Sequence, residues 1–233
     1  MQKIGLIGGL SWVATAEYYR RLNILTQERL GGVSSPRIVL ESVNRQQYVE
    51  AVIDRKDEAA ACAQILDAAQ ALERAGADFI VITCNDVHRF VSEIAPHIAI
   101  PFLHIAEATA LAVHNCGLRK VALLGVRKTM EGDFYPGILA EHGIETIVPE
   151  EPDRSYIHDR IYDELVSDIF TQKTRDGFLK VIANTTKLGA QGVILGCTEI
   201  PLLLKADHIT IPSFSTTELH CKAAVERALL LRE

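Results

Sequence analysis

The chain has few cysteines, no block of basic residues and no long apolar segment, and each of these absences excludes a class of protein. Lysine and arginine number 24 against 30 aspartates and glutamates, and the net charge of −6 argues against a nucleic-acid surface. No apolar run approaches the roughly 20 residues that span a bilayer. No secretory signal precedes the first predicted strand. We therefore expect a cytoplasmic protein without a membrane or nucleic-acid partner.

The cysteines are odd in number and scattered, at positions 62, 84, 116, 197 and 221. This distribution is typical of reduced thiols and not of a disulfide framework. No Cys-x-x-Cys pair or Cys/His cluster offers zinc spacing, so no metal is expected. Cys62 and Cys221 lie within predicted helices and Cys116 ends one, which predicts structural roles for these three.

The chain is composed of two similar halves. In each half a Gly-Ala pair introduces a buried apolar strand that ends in a cysteine, and Ile-Pro follows after a helical stretch; the copies are 76–101 and 189–212. Strands alternate with helices throughout, which predicts βαβ units and mainly parallel sheets. The predicted fold is α/β, with two similar doubly wound lobes and an active site in the interlobe cleft. Residues 1–100 plus 213–233 would form the N-terminal lobe, and 101–212 the C-terminal lobe.

Several polar or glycine-rich segments follow predicted strands. The turn Gly8–Ser11 either admits a small ligand or only packs a strand against a helix. Ser11 or Thr15 is expected to cap the helix that follows. Its spacing differs from the dinucleotide fingerprint. Arg45 follows the second strand, where open parallel sheets bind ligands, so it either meets a carboxylate or stays on the surface. Thr129 is predicted to cap a helix, with a ligand role as the alternative.

Cys84 and Cys197 each end a strand beside a predicted helix N-terminus, whose free N–H groups and dipole favour a thiolate. A matched pair of thiols indicates two-base chemistry, in which one thiolate removes a proton from a carbon and the other thiol protonates the opposite face. The unperturbed pKa of a thiol, about 8.5, suits both tasks. The alternative is that both are small buried hydrophobes.

The chain resembles the aspartate/glutamate racemase family over nearly its whole length. The matching segments are Ile7–Trp12, Cys84–His88, Pro101–Ala106, Leu124–Gly125 with Thr129–Met130, and Gly196–Glu199. The resemblance implies a cofactor-independent amino-acid racemase, a homodimer of two-lobed subunits, with aspartate or glutamate as the default substrate.

The resemblance also implies roles for single residues. Cys84 and Cys197 would be the two acid/base groups. The remaining candidates are substrate-binding: Asn85 and Thr198 at the α-carboxylate, Gly9, Leu10 and Ser11 along the cleft, and Arg45, Asp86, Thr129 and Glu199 nearby.

Three residues depart from the family pattern. Asp86 stands where threonine is common, Tyr156 where lysine is frequent and Ser215 where aspartate is frequent. The Asp86 carboxylate is expected to disfavour an acidic substrate unless it only caps a helix. His88 is expected either to orient Cys84 or Asp86, or to cap or pack. Two other functions remain open: a decarboxylase or isomerase of a small diacid, and a catalytically weak member that binds a metabolite.

Overall fold

The computed structural model describes residues 1–230, which divide into two compact units. The first comprises Met1–His104 and the segment from His220 onward, and the second is Ile105–Leu219. The chain therefore crosses between the units twice. Each crossing follows an Ile-Pro pair by a few residues.

The first unit contains a three-stranded parallel sheet in the order β2-β1-β3. Its elements up to the first crossing are β1 (Ile4–Gly8), α1 (Trp12–Leu30), β2 (Ile38–Ser42), α2 (Arg45–Val49), a π-helical turn (Glu50–Asp54), α3 (Glu58–Arg74), β3 (Phe79–Ile82), a 3-10 turn (Asp86–Phe90), α4 (Val91–Ile94) and a second 3-10 turn (Ala95–His97).

The second unit contains a four-stranded parallel sheet in the order β5-β4-β6-β7. Its elements are α5 (Ile105–Asn115), β4 (Lys120–Leu124), α6 (Arg127–Glu131), α7 (Phe134–Glu141), β5 (Glu145–Ile147), α8 (Asp153–Asp163), a 3-10 turn (Leu165–Ser167), α9 (Gln172–Lys187), β6 (Gly192–Leu195), α10 (Ile200–Leu203), a 3-10 turn (Ala206–His208) and β7 (Ser213–Ser215). The last helix, α11 (Thr216–Leu229), begins in the second unit and continues in the first.

Alternating side chains of the buried strands form two apolar layers in each unit. In the first unit, Ile4 and Leu6 pack with α1 and α11, whereas Ile7 packs with α3 on the other face. In the second, Val121 and Leu123 pack with α5 and α7, and the intervening strand positions pack with α8 and α9. The predicted α/β class, with parallel sheets in two lobes, is confirmed.

The two halves differ after their Ile-Pro pairs. Ser213–Ser215 forms a strand beside β6, but Phe102 makes only an isolated bridge to Ile80. The carbonyl of Leu103 accepts a hydrogen bond from the His220 ring at 2.8 Å. Because this carbonyl is hydrogen-bonded to the His220 side chain and α5 begins at Ile105, the strand pairing of Phe102 with β3 does not extend further.

Cys62 and Cys221 are buried and Cys116 is exposed, and all five cysteines are free thiols. Residues 1–230 include no helix with the length and apolar character needed to cross a membrane.

Candidate functional site

The glycine turn after β1 brings the backbone close to its neighbours. Gly9 has a φ of +83°, and a Cβ there would collide with the carbonyl oxygen of Val43, so no other residue fits without strain. Leu10 is buried. Ser11 is the N-cap of α1 and accepts a hydrogen bond from the Ala14 amide at 3.3 Å. Of the two residues expected to cap this helix, Ser11 does so.

Thr15 connects this turn to the neighbouring strand. Its hydroxyl oxygen accepts the Gly9 amide at 3.0 Å and lies 3.2 Å from the Thr83 hydroxyl. Thr83 directly precedes Cys84. The ends of β1 and β3 are thus joined by side-chain hydroxyls as well as by the sheet.

Arg45 is the half-buried first residue of α2, directly beyond the end of β2. Asn44 caps this helix by accepting the amides of Gln46 and Gln47 at 3.0 and 3.4 Å. Arg45 therefore lies at the carboxyl edge of the first sheet, as its sequence position predicted.

Cys84 is half-buried and follows the buried strand β3. The segment after it is helical from Asp86 to His97, as a 3-10 turn, the four residues of α4 and a second 3-10 turn. The helix start expected after Cys84 is therefore present, although most of the segment is 3-10 and not α-helical. The His88 Nδ1–H donates to the Cys84 carbonyl at 2.8 Å.

Asn85 and Asp86 are both almost fully buried. The Asp86 carboxylate forms an ion pair with Arg89 at 2.6 Å. Sequence reasoning considered His88 as its partner and missed Arg89, although a spacing of three residues in a helical turn brings opposite charges together.

His88 belongs to a group of three histidines in the first unit, of which His88 and His220 are buried and His104 is half-buried. Its ring centroid lies 4.9 Å from that of His104 and 5.4 Å from that of His220. The His220 Nδ1 accepts the Tyr18 hydroxyl at 2.9 Å. His104 and His220 are the first-unit residues at the two chain crossings, so this group links both crossings to the backbone of Cys84.

In the second unit, Cys197 follows β6 and is half-buried. Its thiol donates to Glu199 Oε2 at 3.0 Å, and the Thr198 hydroxyl donates to the same oxygen at 2.7 Å. Glu199 is 2% exposed. The helix beyond it, α10, has four residues. The helix expected here is thus a single turn, which aligns few peptide dipoles, and a buried carboxylate is the immediate partner of Cys197.

Thr129 is fully buried within α6, whose N-cap is Val126. The expectation that Thr129 caps a helix was wrong because the helix begins earlier. Its hydroxyl oxygen finds no hydrogen-bond partner among the described residues. A buried hydroxyl without a partner costs free energy that a bound polar ligand would recover.

Tyr156 and Ser215, the two other departures from the family pattern, each contact neighbouring residues within the second unit. The Tyr156 ring lies edge-on to Phe178, with 6.2 Å between centroids, and a Cβ at Gly177 would collide with its hydroxyl. The Ser215 hydroxyl accepts the Glu218 amide at 3.3 Å at the start of α11.

Within each unit, the candidate residues share one edge of the sheet. Gly9 to Ser11, Arg45 and Cys84 to Asp86 follow the adjacent strands β1, β2 and β3. Thr129 and Cys197 to Glu199 follow the adjacent strands β4 and β6. Carboxyl ends of parallel strands are the usual position of ligand sites in open α/β sheets. In the part of the chain that the structure describes, no three His, Cys, Asp or Glu side chains are arranged to hold a metal ion.

Two units with parallel sheets, each ending a buried strand in a half-buried thiol, define a class of two-lobed α/β protein with one such cysteine in each lobe. The model of the Asp/Glu/hydantoin racemase family matches residues 7–224, and the chain belongs to this family, whose enzymes are isomerases. The resemblance noted from the motifs is thereby confirmed.

Individual relatives agree with the family. A crystal structure from Yersinia pestis, provisionally described as an Asp/Glu racemase, has 41% sequence identity and a TM-score of 0.90, covering 99% of this chain and 100% of that one. An aspartate racemase homologue from Pyrococcus horikoshii has 31% identity and a TM-score of 0.84, covering 98% and 99%. The broad-specificity amino-acid racemase RacX of Bacillus subtilis is 28% identical over 147 residues, which span 62% of this chain but only 63% of that relative.

Proposed function

We propose that the protein is a cofactor-independent amino-acid racemase in which Cys84 and Cys197 act on opposite faces of the substrate α-carbon. Aspartate or glutamate is the default substrate. The observation that carries the proposal is the repeated position of the two thiols, each half-buried at the carboxyl edge of a parallel sheet, in a chain of the racemase family.

In the proposed reaction, one cysteine is a thiolate and the other a thiol. The thiolate takes the α-proton, and the electron pair of the broken C–H bond moves into the α-carboxylate to give a planar carbanion. The thiol then gives its proton to the opposite face, which forms the other enantiomer. The cysteines end with exchanged protonation states, and solvent resets them. The side-chain amide of Asn85 and the backbone N–H of Thr198 would stabilise the negative charge that develops on the carboxylate.

Glu199 fits a positioning role for Cys197. Its Oε2 accepts both the Cys197 thiol and the Thr198 hydroxyl, so it orients both side chains. A negative charge beside sulfur disfavours a second negative charge there. We therefore propose that Cys197 is the protonated thiol in the resting enzyme and that Cys84 is the thiolate.

Glu199→Gln is expected to slow racemisation by about tenfold or more, because the amide orients the thiol differently and removes the adjacent charge. The equilibrium constant between enantiomers is one, so kcat/KM should fall by the same factor in both directions. Pulsed alkylation with peptide mapping should show Cys197 reacting at a pH lower by about 1. Glu107→Gln, at a half-exposed carboxylate of α5, is the control. Unchanged alkylation of Cys197 would contradict the assignment.

A panel of L-amino acids incubated in D₂O tests the proposal as a whole. Proton NMR and chiral chromatography should show loss of the α-proton signal together with formation of the D-enantiomer for at least one amino acid. Carbon dioxide release without inversion would support a small-diacid decarboxylase instead. Binding without either change would support a metabolite-binding role.

We further propose that the protein acts as a cytoplasmic homodimer. The dimer follows from the resemblance to the racemase family, and five free thiols fit a reducing compartment. Light scattering after size exclusion should give twice the chain mass of 25.7 kDa, and a monomer at micromolar concentration would contradict the dimer.

A further inference from the structure

Asp86, two residues after Cys84, is neutralised by Arg89. The Arg89 Nη1 lies 2.6 Å from Asp86 Oδ2 and donates to the Asp86 carbonyl at 2.9 Å. The Asp86 and Arg89 side chains are 11% and 14% exposed. Water therefore screens this ion pair weakly, and the two charges depend on each other.

Two other elements hold the Arg89 guanidinium in place. It donates to the Tyr48 hydroxyl on α2 at 3.1 Å and to Glu58 at the start of α3 at 2.8 Å. Burial alone disfavours the Arg89 cation. The pKa of Arg89 nevertheless lies above its ordinary value because of Asp86, and then of Tyr48 and Glu58. A planar guanidinium with fixed donors is suited to such a site, and Lys would not reproduce its geometry.

The charge of Asp86 acts on the surroundings of Cys84. Burial, and then the Asp86 carboxylate, raises the pKa of Tyr48, and the Cys84 sulfur adds to the same effect. Asp86 and Cys84 therefore both lie within electrostatic reach of Tyr48. Without Arg89, the Asp86 carboxylate would oppose both a Cys84 thiolate and an anionic substrate.

We propose that Arg89 is a specificity-determining residue: by cancelling the charge of Asp86, it allows a dicarboxylic amino acid to bind beside Cys84. This inference rests on the proposed racemase function. It changes the expectation for Asp86, because a compensated carboxylate no longer excludes an acidic substrate. Arg89 acts through Asp86 and not by contact with the substrate.

A purely structural ion pair makes a different prediction. Loss of either partner would then lower turnover of acidic and neutral amino acids by similar factors. The discriminating quantity is the ratio of kcat/KM for L-aspartate to that for L-asparagine, which have nearly the same shape and differ in charge. L-Glutamate and L-glutamine provide a second matched pair.

The experiment compares Arg89→Gln, Asp86→Asn and the double variant with the wild type. Arg89→Gln should lower the aspartate-to-asparagine ratio by about tenfold or more, equivalent to about 1.4 kcal/mol. Asp86→Asn should raise the ratio by about threefold or more, because the negative charge at position 86 is removed while Arg89 keeps its positive charge, then paired with Glu58. The double variant should return to within about threefold of the wild type, as a compensating pair requires. Arg20→Gln removes an exposed guanidinium that pairs with Glu17, and it should leave the ratio unchanged.

A second measurement does not depend on turnover. Pulsed alkylation over a range of pH should show Cys84 reacting at higher pH in Arg89→Gln than in the wild type, and near the wild-type pH in the double variant. If Arg89→Gln fails to fold, because it leaves a buried charge uncompensated, Asp86→Asn and the double variant still decide the question.

The results separate this inference from the proposed function. A wild-type protein that inverts no amino acid contradicts both. An active wild type whose aspartate-to-asparagine ratio is the same in all folded variants, with unchanged Cys84 alkylation, contradicts the assignment of Arg89 alone. Opposite shifts in the two single variants, cancelled in the double variant, support it.

Discussion

Serine in place of either Cys84 or Cys197 should lower racemisation by roughly 10²- to 10⁴-fold, the range that a positioned acid or base contributes. A serine hydroxyl ionises far less readily than a thiol, so it can neither take the α-proton near neutral pH nor replace the thiol as donor. The rate of enantiomer formation from the best amino acid of the panel, followed by chiral chromatography, gives the measurement.

The two serine variants should also differ from each other. Each retains one cysteine, so each should exchange the α-proton of one enantiomer with solvent, and the enantiomer should be opposite in the two variants. Cys116→Ser, at an exposed thiol, is the matched control and should behave like the wild type. Full racemase activity in either site variant would contradict the two-base mechanism.

Mild acid should destabilise the protein through His220. This ring is fully buried, and burial lowers its pKa to about 4 from an ordinary value of 6.5. As pH falls, this histidine takes up a proton in the unfolded chain before it does so in the folded protein. The contribution of neutral His220 to the free energy of unfolding is therefore present above pH 6.5 and is lost between pH 6.5 and about 4. By pH 5 the loss should reach about 2 kcal/mol. Burial also lowers the pKa of His88, which adds to the loss.

Urea unfolding followed by circular dichroism between pH 8 and pH 5 measures this effect. His220→Gln has no titrating ring at this position. Its free energy of unfolding should therefore fall over this pH range by about 2 kcal/mol less than that of the wild type. The variant also loses hydrogen bonds to Tyr18 and Leu103, so the comparison uses the slope with pH and not the absolute stability. His97→Gln, at an exposed ring, is the control. Equal slopes for wild type and His220→Gln would contradict the account of buried neutral histidines.

Local sequence signals predicted the features that depend on neighbouring residues. Ser11 caps α1, and the apolar runs before Cys84 and Cys197 form the buried strands β3 and β6. These are consequences of capping chemistry and of hydrophobic runs of strand length. The placement of both thiols at a carboxyl edge followed from the alternation of strands and helices.

Features set by distant contacts could not be predicted in the same way. His220 lies more than a hundred positions from Leu103 and Tyr18, its partners, and no local pattern identifies it. The helix expected after Cys197 proved to be a single turn, and the one after Cys84 is mostly 3-10, because tertiary packing decides how far a helix extends. Arg89 was within reach of sequence reasoning, since it lies three residues after Asp86, but its contacts with Tyr48 and Glu58 were not.

The most direct test of the two-thiol mechanism is the early isotopic composition of substrate and product in D₂O. If one thiolate removes the proton and a second, solvent-equilibrated thiol delivers the new one, the first D-enantiomer formed should be fully deuterated at the α-carbon. The remaining L-enantiomer should still carry its proton at this stage, because a carbanion that reverts is reprotonated by the cysteine that still holds the original proton. Mass spectrometry of the separated enantiomers at a few per cent conversion gives both values. Transfer of the original proton to the product, or equal labelling of both enantiomers from the start, would contradict the mechanism.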